Sequence, residues 1–164
     1  MKVDLTTELF GLPLKSPLIL GSGPLSYGAA GLIRAYEAGA GAVVTKTIRD
    51  RAADNPYPHM VISGRDTLIN AEKWADISAA RWVEEEIPKS KEAGVTVIAS
   101  LGHTPAEVGK WVKAADRAGA DIIELVSYQS EAILPMVMKA KELTGKPVIA
   151  KLSPNWPDPV KTAL

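Results

Sequence analysis

A chain of 164 residues suffices for one domain with a real core and is short for two. Its 19 Lys+Arg and 19 Asp+Glu cancel, so overall charge points to neither nucleic acid nor an anionic membrane as a partner. With no cysteine and two histidines, disulfides, thiolate metal sites and thiol catalysis are excluded, and no metal is expected.

The N-terminus, MKVDLTTELF, lacks the apolar core of a signal peptide. No run approaches the roughly 20 apolar residues of a membrane span, so a cytoplasmic protein is expected. Residues 3–15 suggest a short antiparallel hairpin, and the apolar run at 17–21 a first buried strand. GSG follows it, then a helical pattern over 28–38 with Leu32 and Tyr36 on one face. A second strand at 42–47 leads into a long insertion, from about 48 to 76, and then a helix over 77–93 that Pro88 kinks or divides.

The remainder keeps the same alternation. A strand at 95–100 is followed by a helix over 105–118, opened by Thr104 as N-cap and Pro105 at the first position. A strand at 121–127 precedes a helix over 131–143, and a strand at 147–152 leads into the start of another helix. Four helices end on glycine (Gly39, Gly94, Gly119, Gly145) before a β-branched run, the repeat expected of helix C-caps feeding parallel strands. Strict βα alternation means a parallel sheet. A doubly wound sheet usually carries G-x-G-x-x-G after its first strand; GSGPLSYG does not match it, and a long loop after the second strand suits the active face of a (β/α)8 (TIM) barrel. The expectation is one domain over 1–164 holding the first five β/α units of such a barrel. Its open edges would need an oligomer or complex to cover them, and the isolated chain would not be a stable monomer.

Chemistry is expected at the C-terminal strand ends. Lys46 and Lys151 each stand near the end of an apolar strand, in VVTKT and VIAKLS. A lysine there either snorkels to water or meets an anionic or electron-rich ligand, and two at one pole favour a shared ligand. Gly21, Ser22 and Gly23 offer bare backbone to a ligand, or simply a tight turn. Asn70 and Glu72 are an amide-reading pair or two solvated loop residues; His103 faces the same mouth or plain solvent. Tyr128 and the neighbouring serines are available for proton transfer and hydrogen bonding, and Trp74 stands close to Asn70 and Glu72.

PLILGSG, VVTKT, DNPYPHM, LINAE and AKLSPN together resemble the class 1 dihydroorotate dehydrogenase family, and more nearly the flavin-binding barrel of dihydropyrimidine dehydrogenase. The resemblance implies an FMN-dependent oxidoreductase transferring hydride between flavin and a small cyclic, pyrimidine-like substrate. It implies Gly21, Ser22, Gly23, Lys46, Thr47, Ser100 and Lys151 as FMN-contacting residues and Asn70 and Glu72 as substrate-binding ones. The family's asparagine–leucine–serine–cysteine–proline motif is replaced by Val126-Ser127-Tyr128-Gln129-Ser130. Gln129 cannot exchange a proton near neutral pH, so Tyr128 or Ser130 becomes the candidate catalytic group. Without the segments after strands seven and eight that hold a phosphate, weak or no FMN retention is expected. Two alternatives stand beside this: a non-catalytic relative or subunit of a larger redox complex, and a flavin-free lyase or aldolase using a lysine Schiff base.

Overall fold

The computed structural model describes residues 3–164; Met1 and Lys2, included in the expected domain, lie outside the described residues. Strands β1 (Thr7–Leu9) and β2 (Leu12–Leu14) form the expected hairpin, turning at Phe10 and Gly11, which both have positive φ. Five further strands, β3 (Ile19–Leu20), β4 (Ala42–Val44), β7 (Val97–Gly102), β8 (Ile122–Val126) and β9 (Val148–Lys151), lie side by side in that order. Every pairing among them is parallel. Helices α1 (Gly28–Glu37), α4 (Pro105–Arg117) and α5 (Ser130–Leu143) cover the outer face, and a short α6 (Pro159–Ala163) follows β9.

The arrangement is a curled half-barrel, the partial TIM barrel that alternation predicted. Gly39, Gly94 and Gly119 adopt the left-handed conformation expected after a helix; Gly145 does not, because α5 ends instead on an extended Thr144. Side-chain parity divides the core in two. Val43, Val97, Ile123 and Leu125 face outward onto the helices, with Leu32, Val108, Val112 and Met136. Ala42, Val44, Ile98 and Ile122 face the barrel interior, where Leu14 of the hairpin packs on them and closes the N-terminal end. Gly41 makes that closure possible, since a Cβ there would fall 2.0 Å from the Ser16 carbonyl oxygen.

Two features depart from the sequence reading. The insertion is not a plain loop: β5 (Met60–Ser63) and β6 (Thr67–Asn70) make an antiparallel hairpin that projects from the sheet. The helix that carries Pro88 is divided, by a change of winding rather than a break, with Pro88 in the first turn of its last piece. A π-turn over Trp82–Glu86 joins α2 (Ala79–Arg81) to α3 (Ile87–Glu92), so the ladder shifts one residue where proline has no N–H to donate. No helix among the described residues is long and apolar enough to cross a membrane.

Candidate active site

Because the strands are parallel, residues just past their C-terminal ends converge. Ser22, Lys46, Thr47, Lys73, Trp74 and Tyr128 line one cleft of about 280 Å³, closed below by Val126 and Ser127 and on one side by Lys151–Pro154. A larger concavity, about 420 Å³, lies between β3 and α1 on the outer face. Its lining is aliphatic apart from Arg34, so it is a packing groove rather than a place for chemistry.

Lys46 is held by position and by charge. Val44 ends the strand, and Lys46 Nζ lies 2.6 Å from Glu72 Oε2 with both side chains buried. The contact lacks hydrogen-bond alignment, leaving Glu72 Oε2 without a directed donor. Lys46 is therefore paired from within, while neither Lys73 nor Lys151 makes an ion pair among the described residues. Lys73 donates to the Asp54 carbonyl oxygen at 2.9 Å.

A row of hydroxyls runs beneath the lysines. Ser22 Oγ lies 3.3 Å from Thr47 Oγ1, which lies 3.0 Å from Ser100 Oγ. Ser100 donates to Glu124 Oε1 at 2.8 Å. Gly21 and Gly23 border open space: a Cβ at either would meet nothing within 4 Å. The protein's own packing does not require glycine there, which leaves room for a ligand against the backbone.

At the lip stands an aromatic cluster. Trp74 packs on Tyr128 with ring centroids 4.7 Å apart and on His103 at 5.8 Å; His103 meets Tyr128 edge-on at 5.9 Å. Arg49 lies over Trp74 at 5.2 Å. Glu107 in the first turn of α4 anchors this group, accepting from Arg49 Nε at 2.7 Å and from the backbone N–H of His103 and Asp50 at 2.8 and 3.2 Å. Burial works against the Glu107 charge, yet those donors outweigh it and hold the carboxyl below the usual range. Burial and then the Arg49 charge lower the His103 pKa against the pull of Glu107, and His103 Nδ1 is buried without a partner.

Of the expected site residues, Ser22, Lys46, Thr47, Tyr128 and Lys151 line the cleft; Gly21 and Gly23 flank it, Ser100 and Glu72 are buried behind it, and Asn70 and Ser130 turn away. Asn70 is exposed at the end of β6, where its side chain accepts from the Glu72 N–H at 2.8 Å. Ser130 begins α5 and its hydroxyl turns to Glu131 at 3.4 Å. Sequence reasoning gave no site role to Arg49, for which no local signal exists, or to Glu107, whose local signal is only that of a first-turn acid three residues after the Thr104 cap. Nor did it give one to Glu124, for which a signal did exist. Glu124 is a lone carboxylate in the apolar run IIELV, the same anomaly that drew attention to the lysines. Among the described residues no cluster of three or more His, Asp or Glu could hold a metal ion.

No family model matches the chain. Comparison with curated proteins finds the catalytic subunit of dihydroorotate dehydrogenase B (NAD(+)) from Pyrococcus furiosus, 33% identical over 99% of this chain and 58% of that protein. The corresponding subunit from Thermoplasma acidophilum is 29% identical over 98% of this chain and 58% of its own length. The chain thus spans a little over half the length of the curated relatives it matches. Among solved structures, phosphonopyruvate hydrolase bound to oxalate and Mg²⁺ superposes with a TM-score of 0.53 at 24% identity, covering 84% of this chain and 46% of that one, a likeness of fold alone.

Proposed function

We propose, from its likeness to dihydroorotate dehydrogenase catalytic subunits, that the chain belongs to the dihydroorotate dehydrogenase-like family and forms the flavin-edge part of an FMN-dependent oxidoreductase acting on a small, pyrimidine-like ring. In this reading residues 1–164 are the N-terminal part of one (β/α)-barrel domain. The observation that carries it is the convergence of Lys46, Lys151, Ser22 and Thr47 on one cleft at the strand ends. The cleft fits the group: Lys151 is unpaired, hydroxyls line the floor, and Gly21 and Gly23 leave the backbone uncovered. When bound, FMN supplies two-electron chemistry and gains negative charge on its N1–C2=O edge on reduction.

Lys151 and Lys46 are the residues that would hold that edge, and a fixed ammonium stabilises developing charge without reorganising. Glu72 keeps Lys46 in place and buried. Trp74 and Tyr128 wall the lip and exclude water from one side. Forming or breaking a C=C bond also requires a proton transfer. Gln129 is exposed and its amide does not titrate. Tyr128 carries the proton in this assignment, because its ring lines the cleft whereas the Ser130 hydroxyl points to Glu131.

The experiment is a titration with FMN followed by flavin fluorescence, then turnover with dihydroorotate. Weak quenching is expected, reached only at high FMN concentration because no phosphate-holding segment contributes, with Lys151→Ala weakening the affinity about tenfold further. Tyr128→Phe should leave FMN affinity unchanged while lowering turnover by about 100-fold or more. A chain that leaves FMN fluorescence unaltered at saturating concentration rules the reading out. A second reading, a non-catalytic relative or a subunit of a redox complex, draws on Val126 and Gln129 standing where the family carries asparagine and its acid/base. Flavin binding without turnover would select it, and the relatives' designation as catalytic subunits makes an accessory subunit the partner to add.

A further inference from the structure

One buried carboxylate has no part in that chemistry. Glu124 faces the barrel interior from the middle of β8, is 9% exposed, and accepts a hydrogen bond from Ser100 Oγ at 2.8 Å. It makes no ion pair among the described residues. Of the ammonium groups at this pole, Lys46 is engaged by Glu72, Lys73 by the Asp54 carbonyl, and Lys151 stands on the adjacent strand one pleat nearer the mouth. Among the hydrogen bonds of the described residues, the route from this carboxylate to the cleft is the hydroxyl row: Ser100, Thr47, then Ser22, the last two lining the cleft.

Each of the two contacts between hydroxyls has no direction of its own, since either oxygen can donate. Glu124 supplies the direction. An ionised carboxylate only accepts, and a hydroxyl has a single proton to give. Ser100 must spend its proton on Glu124, so Thr47 donates to Ser100 and Ser22 donates to Thr47. Ser22 then shows the cleft only lone pairs. If Glu124 carries a proton the row is free to run the other way, and Ser22 turns its O–H outward. We propose that Glu124 is a positioning residue which, through Ser100, sets the polarity of this row. In its ionised form it makes the cleft floor a hydrogen-bond acceptor, selective for ligands that present an N–H or O–H there.

The primary test needs no ligand. In the full chain, labelled with ¹³C at serine and threonine, NMR reads the environments of Thr47 and Ser22 at neutral pH. Glu124→Gln is expected to shift both resonances, because the amide can donate and so releases the row. In a Ser100→Ala background the same substitution should leave them in place, and Ser100→Thr, which restores a hydroxyl, should restore the response. Should Ser100→Ala fail to fold, Thr47→Val breaks the row one step later, and the response must then vanish at Ser22 while persisting at Ser100. An equal shift with and without the Ser100 hydroxyl would mean a through-space field and overturn the proposal, as would no shift at all. A second arm rests on the flavin reading: with FMN as probe, Glu124→Gln should change affinity about threefold, the size of one hydrogen bond, and the change should disappear in Ser22→Ala. Failure of wild-type protein to bind FMN sinks the flavin reading and leaves the NMR outcome to decide the hydroxyl row by itself.

Discussion

At the scale of single residues, the cleft is organised by charges that cannot reach water. Lys46 and Glu72 have side chains only 8% and 3% exposed, so neither can be solvated if the other is removed. Lys46→Met or Glu72→Leu alone should cost about 3–5 kcal/mol, read as a lowered apparent urea midpoint against the parent chain at one matched protein concentration. The double variant, which buries two apolar side chains of similar size, should recover most of that loss. His103 makes the complementary case. Burial first and Arg49 second lower its pKa below the ordinary value of 6.5, so in the window beneath that value the unfolded chain binds a proton that the folded one refuses. Stability contributed by neutral His103 is complete above that window and is lost as pH falls through it. An imidazole NMR titration should place the midpoint below that of a free histidine, and Arg49→Gln should raise it. A midpoint indifferent to Arg49 would contradict this account.

Elements show how far local pattern specified structure. The parallel strands were legible because a left-handed glycine followed by β-branched residues has few other uses, and their shared polarity placed Lys46 and Lys151 at one pole. The β5–β6 hairpin was not, since two four-residue strands flanked by Asn55-Pro56 and Pro58 read as loop. It also moved part of the expected site: pairing with Met60 carries Asn70 outward, while Glu72, two residues on, turns back to Lys46. The π-turn announced itself only through Pro88, and its consequence is tertiary. Glu86, 6% exposed, ends the turn with its carboxylate accepting from Ala29 N–H at 2.7 Å and Arg81 Nε at 2.9 Å. One residue thus caps α1, the helix that follows the Gly21–Gly23 segment, from an element 57 positions away. Glu86→Ala should cost about 2–3 kcal/mol, with Glu86→Gln costing less because an acceptor remains for Ala29. Hydrogen exchange should show the loss first at the start of α1, an effect absent if Glu86 only fills space.

The whole molecule has a curvature that leaves two sheet edges without partners among the described residues, β3 on one side and β9 on the other. Neither edge is blunted in the manner of a natural sheet margin. Leu18 and Ile19 are 67% and 41% exposed beside a groove of about 420 Å³ that α1 covers from one side only. At the far edge Leu134 and Leu152 are 64% and 37% exposed around a groove of about 310 Å³ between α5, β9 and α6. Each groove has the shape left when a β/α unit packs on one flank and not on the other, and each places apolar side chains beside unpaired strand N–H and C=O groups. Such edges recruit further strands, and apolar patches beside them strengthen the attraction. The 164-residue chain alone should therefore sediment as concentration-dependent species and bind an apolar dye such as ANS. Lysine at Leu18 and Leu134 together should suppress both effects without altering the circular dichroism, because both side chains already face solvent. A monodisperse monomer with one sharp, reversible unfolding transition would mean that the edges are closed by contacts within the chain itself, and that the interior hydroxyl row and Lys151 are less open to a ligand than their geometry indicates.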